Sequence, residues 1–144
     1  MHAAPSTLKL LDAVYHSSLR FITGDGFRTH HCTLYENVGW TSLYDRRERH
    51  CLLFVYKALL GKLPPYLTSL LNMKSICHNT RSQGFISLQT PQIKSEFGKL
   101  AFTFFASNKW NKFQELFKLD RFVSLDQFKG MIDDMAVVKC SCFD

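Results

Sequence analysis

The stretch SLYDRRERHCLLFVYKALLG, residues 42–61, constrains the fold more than any other. Ser42 stands three residues ahead of Asp45, an N-terminal cap with an acidic group near the positive helix end. Gly61 closes the stretch where a left-handed residue costs least. A helix from about Leu43 to Leu60 is predicted, and its two halves differ in chemistry. YDRRERH is polar, whereas CLLFVYKALL is apolar nearly all round. A helix apolar on every side must be enclosed by other elements. The second half is therefore expected at the centre of a core. The first half is expected at the surface, with Arg46, Arg47 and Arg49 standing in water as an unpaired positive ridge.

The rest of the chain supplies helices to enclose it. Residues 7–23 place Leu8, Leu11, Tyr15, Ser18, Leu19 and Ile22 at helical spacing, ended by Gly24. Thr29 is an expected N-cap for a helix from about His30 to Asn37, with Cys32 or Thr33, Leu34 and Val38 turned inward and Gly39 as its stop. Trp40 is expected as a core plug. Pro64 and Pro65 open a short helix, since proline suits a first turn. A helix capped at Ser107 is expected over SNKWNKFQELF. Ser124 and Gln127 form a capping box before the apolar stripe Leu125, Phe128, Ile132 and Met135. Between these lie a loop-like KSICHNTRSQG and an alternating FISLQTP, with Ile86 and Leu88 on one face. KLAFTFFA (99–106) either pairs with FISLQTP as a second strand or belongs to the next helix; a hairpin is favoured. The fold class is thus mainly α: about six helices, with one short β-hairpin near residues 84–106. Residues 1–73 form a helical part and 74–144 a mixed one, packed as one domain. The tail AVVKCSCFD is expected to fray.

A chain of 144 residues can bury roughly 70% of its unfolded surface, so it needs neither disulfide nor metal to fold. Five cysteines are an odd number. No signal-peptide pattern opens the chain, because His2, Lys9, Asp12 and Arg20 interrupt it. Reduced thiols and an intracellular setting are the expectation. No apolar run reaches the roughly 20 residues of a membrane span. Eighteen basic residues against twelve acidic ones make a polyanionic partner plausible. The excess is spread through both halves and forms no basic tail.

Chemistry has few footholds. His30, His31 and Cys32 are consecutive, and successive helical residues point about 100° apart, so they are not expected to converge on one ion. Cys77-His78 and Cys140-x-Cys142 complete no zinc spacing. No metal site and no cofactor are expected. No nucleophile elbow, phosphate-cradling glycine loop or aspartate pair in an apolar strand occurs. Asp133-Asp134 reads as a solvated face. No catalytic residue is assigned. Two basic helix starts remain: Arg28, His30 and His31 at one, Arg46, Arg47 and Arg49 at the next. Their amides and side chains favour an anion, so these six are the candidate nucleic-acid contacts.

The order of motifs points further. LDAVYHSSLRFITG, RTHHCTLYENVGW, SLYDRRERHCLLFVYKALLGKLPPYL, TRS, TP, FGKLAFTFFASNKWN, SLDQFK and CSCF follow one another. In this order they resemble the C-terminal segment of vertebrate LINE-type (non-LTR) retrotransposon reverse transcriptases, downstream of the palm. The resemblance runs from about Leu8 to Phe143. It implies a thumb-like first part, a connecting second part, and contact with RNA template or DNA primer. The palm with its paired aspartates and the endonuclease domain have no counterpart here, so it implies no enzyme activity. Arg46, Arg47 and Arg49 match the family's basic helix start. NKWNKFQ departs from it, because proline usually follows the tryptophan and asparagine. MHAAPST matches nothing expected at that junction, as in a truncated element.

Two expectations follow. One is a non-catalytic segment that contacts RNA or an RNA–DNA hybrid. The other is a helical protein-interaction module, or an inert relic, whose partner includes the upstream reverse transcriptase domain. The surface discriminates between them. Aligned basic side chains favour the first, and a contiguous apolar patch on the N-terminal helix favours the second.

Overall fold

The structure, a computed structural model, describes residues 5–74 and 85–135. The expected loop at 75–84 and the expected fraying tail lie outside the described residues. Six α-helices follow in order: α1 (Pro5–Thr23), α2 (His31–Val38), α3 (Leu43–Leu59), α4 (Pro65–Thr68), α5 (Phe102–Phe117) and α6 (Leu125–Met135). A 3-10 turn, Gly98–Leu100, precedes α5. The described residues are mainly α, as the patterning predicts. Their contacts divide them into two units, one running to Arg47 and the other from Glu48 to Asp134. The division falls inside α3, whereas the sequence patterning changes near residue 73.

Local chemistry explains where the helices stop. Gly24, Gly39 and Gly61 have φ of 72°, 64° and 67°. After α2, Gly39 N–H donates to Glu36 O and Trp40 N–H to Tyr35 O. After α3, Gly61 N–H donates to Ala58 O and Lys62 N–H to Lys57 O. Each pair satisfies carbonyls that the helix end leaves bare. At the start of α3, Ser42 Oγ accepts from Asp45 N–H at 3.1 Å and donates to the Asp45 carboxylate at 2.6 Å. Before α6, Ser124 and Gln127 each accept the other's backbone N–H, at 3.0 and 3.2 Å.

In the second unit the core is aromatic. Leu52, Val55 and Tyr56 of α3, Trp110 and Phe113 of α5, and Phe128 and Ile132 of α6 are almost wholly buried. The Tyr56 and Phe128 rings stack at 3.8 Å, and Trp110 and Phe113 flank Phe128 at 5.9 and 5.3 Å. Every polar edge of this cluster is satisfied. Tyr56 Oη donates to Val123 O at 2.6 Å and accepts Val123 N–H at 2.8 Å. Trp110 Nε1 donates to Ile86 O at 2.6 Å. Such rings bury large apolar areas, and each ring pair adds about 0.5–1.5 kcal/mol beyond area.

The hairpin expected near 84–106 is not formed among the described residues. Ile86 and Leu88 do alternate inward, as expected, and are buried. Their partners differ. Met73 and Leu88 form an isolated antiparallel bridge, with Lys74 N–H donating to Ser87 O and Gln89 N–H to Asn72 O. On the other edge a side chain does what a strand would do. Asn111 Oδ1 accepts Leu88 N–H at 2.9 Å, and Asn111 Nδ2 donates to Leu88 O at 2.9 Å. With that edge satisfied, Phe102–Ser107 gains more as the first turns of α5. Its N-cap is Ala101, and Ser107, expected as the cap, is buried in the helix interior. α5 ends on Lys118, a non-glycine residue at φ 49°. Gln114 supports this end by accepting Leu119 N–H on its side-chain oxygen at 2.8 Å.

Candidate functional site

The first unit carries most of the candidate residues. Polar groups link α1 to α2 and to the turns that flank it. His16 Nε2 and the Tyr35 hydroxyl share a 2.6 Å hydrogen bond, Tyr15 Oη donates to Thr41 O at 3.0 Å, and Arg20 Nη2 donates to Thr29 O at 3.3 Å. These bonds fix the rotation of α1. Leu19 is turned inward and fully buried, but Leu11 and Ile22, at helical spacing with it, are 50% and 57% exposed. Leu10, Val14 and Phe21 lie outside with them, at 70%, 65% and 90% exposure. Positions 10, 14 and 21 share one face at helical spacing. Phe27, in the turn after α1, is also exposed. The result is a contiguous apolar face on the N-terminal helix.

The basic candidates do not line up as expected. Arg28 is exposed in the turn before α2. Arg46 is exposed, but its guanidinium lies 5.2 Å above the Trp40 ring. Trp40 in turn stacks on Tyr15, with ring planes 9° apart. Trp40 is therefore no core plug: it remains 44% exposed, sandwiched between an arginine and a tyrosine. Arg47 is half-buried. Arg49 is not an unpaired cation. Its Nη2 donates to Asp133 Oδ2 at 3.1 Å, and its Nε stands 2.8 Å from Asp133 Oδ1. Asp133 is thus a partner for Arg49 and not only a solvated carboxylate. Neighbouring Glu48 pairs with Lys109.

Comparison with protein-family models, with curated proteins and with solved structures gave no match. The site is therefore read from its own geometry.

His30 is the N-cap of α2, one residue later than the expected Thr29. Its backbone is extended, φ −66° and ψ 144°, and its Nδ1 accepts Cys32 N–H at 3.4 Å. Because His30 lies outside the helix, the 100° progression does not apply to it. Its ring folds back to 4.1 Å from the His31 ring, and His31 stacks on His16 at 5.3 Å. One ligand atom from each of His30, His31 and Cys32 lies within 4.8 Å of the others. The three thus stand together, although consecutive helical positions point about 100° apart. Burial, then the nearby His30, His16 and Arg20, hold His31 below the ordinary histidine range. Burial likewise lowers His16, against the opposing pull of Asp12. Burial pushes the Tyr35 hydroxyl up to about 12.

Sequence patterning missed His16, Arg20 and Tyr35. The signal was present in the i, i+4 polar series Asp12, His16, Arg20 on α1. It reads as a solvated stripe unless the partner helix is known. No helix among the described residues is long and apolar enough to cross a membrane.

Proposed function

We propose that the chain is a helical protein-interaction module that docks through the outer face of α1. Its partner, in the setting the motif order resembles, is the part of a reverse transcriptase upstream of it, and the segment itself is non-catalytic. One observation carries this reading: Leu10, Leu11, Val14, Phe21 and Ile22 stand exposed together on one 19-residue helix. Burying four such side chains contributes on the order of 6–12 kcal/mol before the costs of association. Isolated surface leucines are ordinary, but a contiguous apolar face is characteristic of a contact surface. The resemblance begins at about Leu8 and places the segment downstream of the palm, so α1 is the helix nearest to that domain in sequence.

Contact with RNA or an RNA–DNA hybrid is the second reading. It is supported by the exposed Arg28 and Arg46 and by the +6 charge. It is weakened by Arg49, whose guanidinium already has a carboxylate. Fluorescence anisotropy of a labelled RNA–DNA hybrid at low salt separates the two. The module reading expects no binding at micromolar protein. Micromolar binding that falls steeply with salt, and falls again in Arg46→Ala, would replace it with the second reading.

A further inference from the structure

We propose that His30, His31 and Cys32 form a binding site for a thiophilic transition-metal ion of the Zn2+ type. The three donor groups already lie within 4.8 Å of one another. Tetrahedral zinc needs Zn–S of about 2.3 Å and Zn–N of about 2.0–2.1 Å. Donor atoms on one such ion are therefore roughly 3.3–3.6 Å apart, and rotation about side-chain bonds closes the remaining gap. Two imidazoles and a thiolate select Zn2+ or copper over Mg2+ and Ca2+. A set of three leaves a coordination position open to solvent or a substrate.

The local structure favours this use of the residues. His30 Nδ1 accepts Cys32 N–H at 3.4 Å, a long bond, so the backbone at the start of α2 already draws the His30 ring towards Cys32. Cys32 lies in the first turn of α2. His31 is braced from behind by the His16 ring, which the Tyr35 hydroxyl holds in place. Two charged groups also face the cluster from α1. Asp12 favours a cation and Arg20 opposes one. Binding therefore rests on donor chemistry rather than on net charge. The proposal is independent of the α1 docking face.

The test uses the full reduced chain titrated with Co2+, then competed with Zn2+. The expected result is one equivalent bound, with a thiolate-to-cobalt charge-transfer band that Zn2+ abolishes. Cys32→Ser should remove the band. His30→Ser keeps an N-cap side chain and should keep the far-UV dichroism, yet weaken Zn2+ binding. Loss of a ligand should cost at least the about tenfold that loss of a ligand's supporting partner costs. No charge-transfer band in the native chain overturns the proposal. So does a band that persists unchanged in both variants and vanishes when Cys140 and Cys142 are replaced by serine.

Discussion

The two units handle aromatic and apolar groups in opposite ways. In the unit from Glu48 to Asp134, Tyr56, Trp110, Phe113 and Phe128 are buried, and each polar edge has a backbone partner. In the unit that runs to Arg47, Tyr15, Trp40 and Tyr35 make a half-exposed stack with histidines and Arg46. There the largest apolar side chains of α1 face outward. The difference is one of task. The first arrangement gains stability from enclosed area and satisfied hydrogen bonds. The second leaves apolar area and metal-type donors at the surface, where they can act only on something else.

Substituting the two tryptophans gives the largest contrast. Trp110→Ala should cost about 3–5 kcal/mol in urea unfolding, as for a large ring removed from a packed core. Trp40→Ala should cost less, about 1–2 kcal/mol, because a half-exposed ring loses its contacts with Arg46 and Tyr15 rather than a core. Equal costs would erase the distinction between the units. A smaller effect is expected at Asn111. Asn111→Ala removes both bonds to Leu88 and should cost about 1–3 kcal/mol. Amide exchange at Leu88 should accelerate in the same variant. Smaller again is the gain from Lys118→Gly. Lys118 ends α5 at φ 49°, where α1, α2 and α3 use glycine, so relief of about 1 kcal/mol is expected from the same urea curves.

The cysteines sharpen the contrast in rate rather than in stability. Burial pushes the Cys51 thiol up to about 11. Its neutral form is favoured in the folded state, so its contribution is fully present below pH 9.0, the ordinary value, and is lost as pH rises towards 11. Peptide-resolved alkylation at pH 8 should therefore label Cys32 well before Cys51. Cys51 should catch up only near pH 11 or on unfolding. Equal labelling at pH 8 would place Cys51 outside the core.

Much of the fold was legible because its signals are local. The glycine stops at 24, 39 and 61 and the caps at Ser42 and Ser124 depend on residues within one turn of each other. The apolar-all-round half of α3 likewise required a core around it. What escaped depends on partners far along the chain. Asn111 completes the edge of Leu88 from 23 residues away, and no periodicity announces it. The polar contacts of α1 escaped for the same reason, since His16 and Arg20 take their partners from α2 and the turn before it. The arginine ridge failed at Arg49 because Asp133 lies 84 residues away. Convergence of His30 with Cys32 was hidden by a one-residue difference in where α2 begins.

Sedimentation equilibrium of the isolated chain, beside the double variant Val14→Asp, Phe21→Asp, tests the docking face most directly. With no partner in solution, the α1 face can meet only other copies. The native chain should show an average mass that rises with concentration above 16.7 kDa. The double variant should stay monomeric with the same melting curve, because both positions are exposed. A native chain that remains monomeric throughout, or a variant that associates just as strongly, would contradict a contact role for α1.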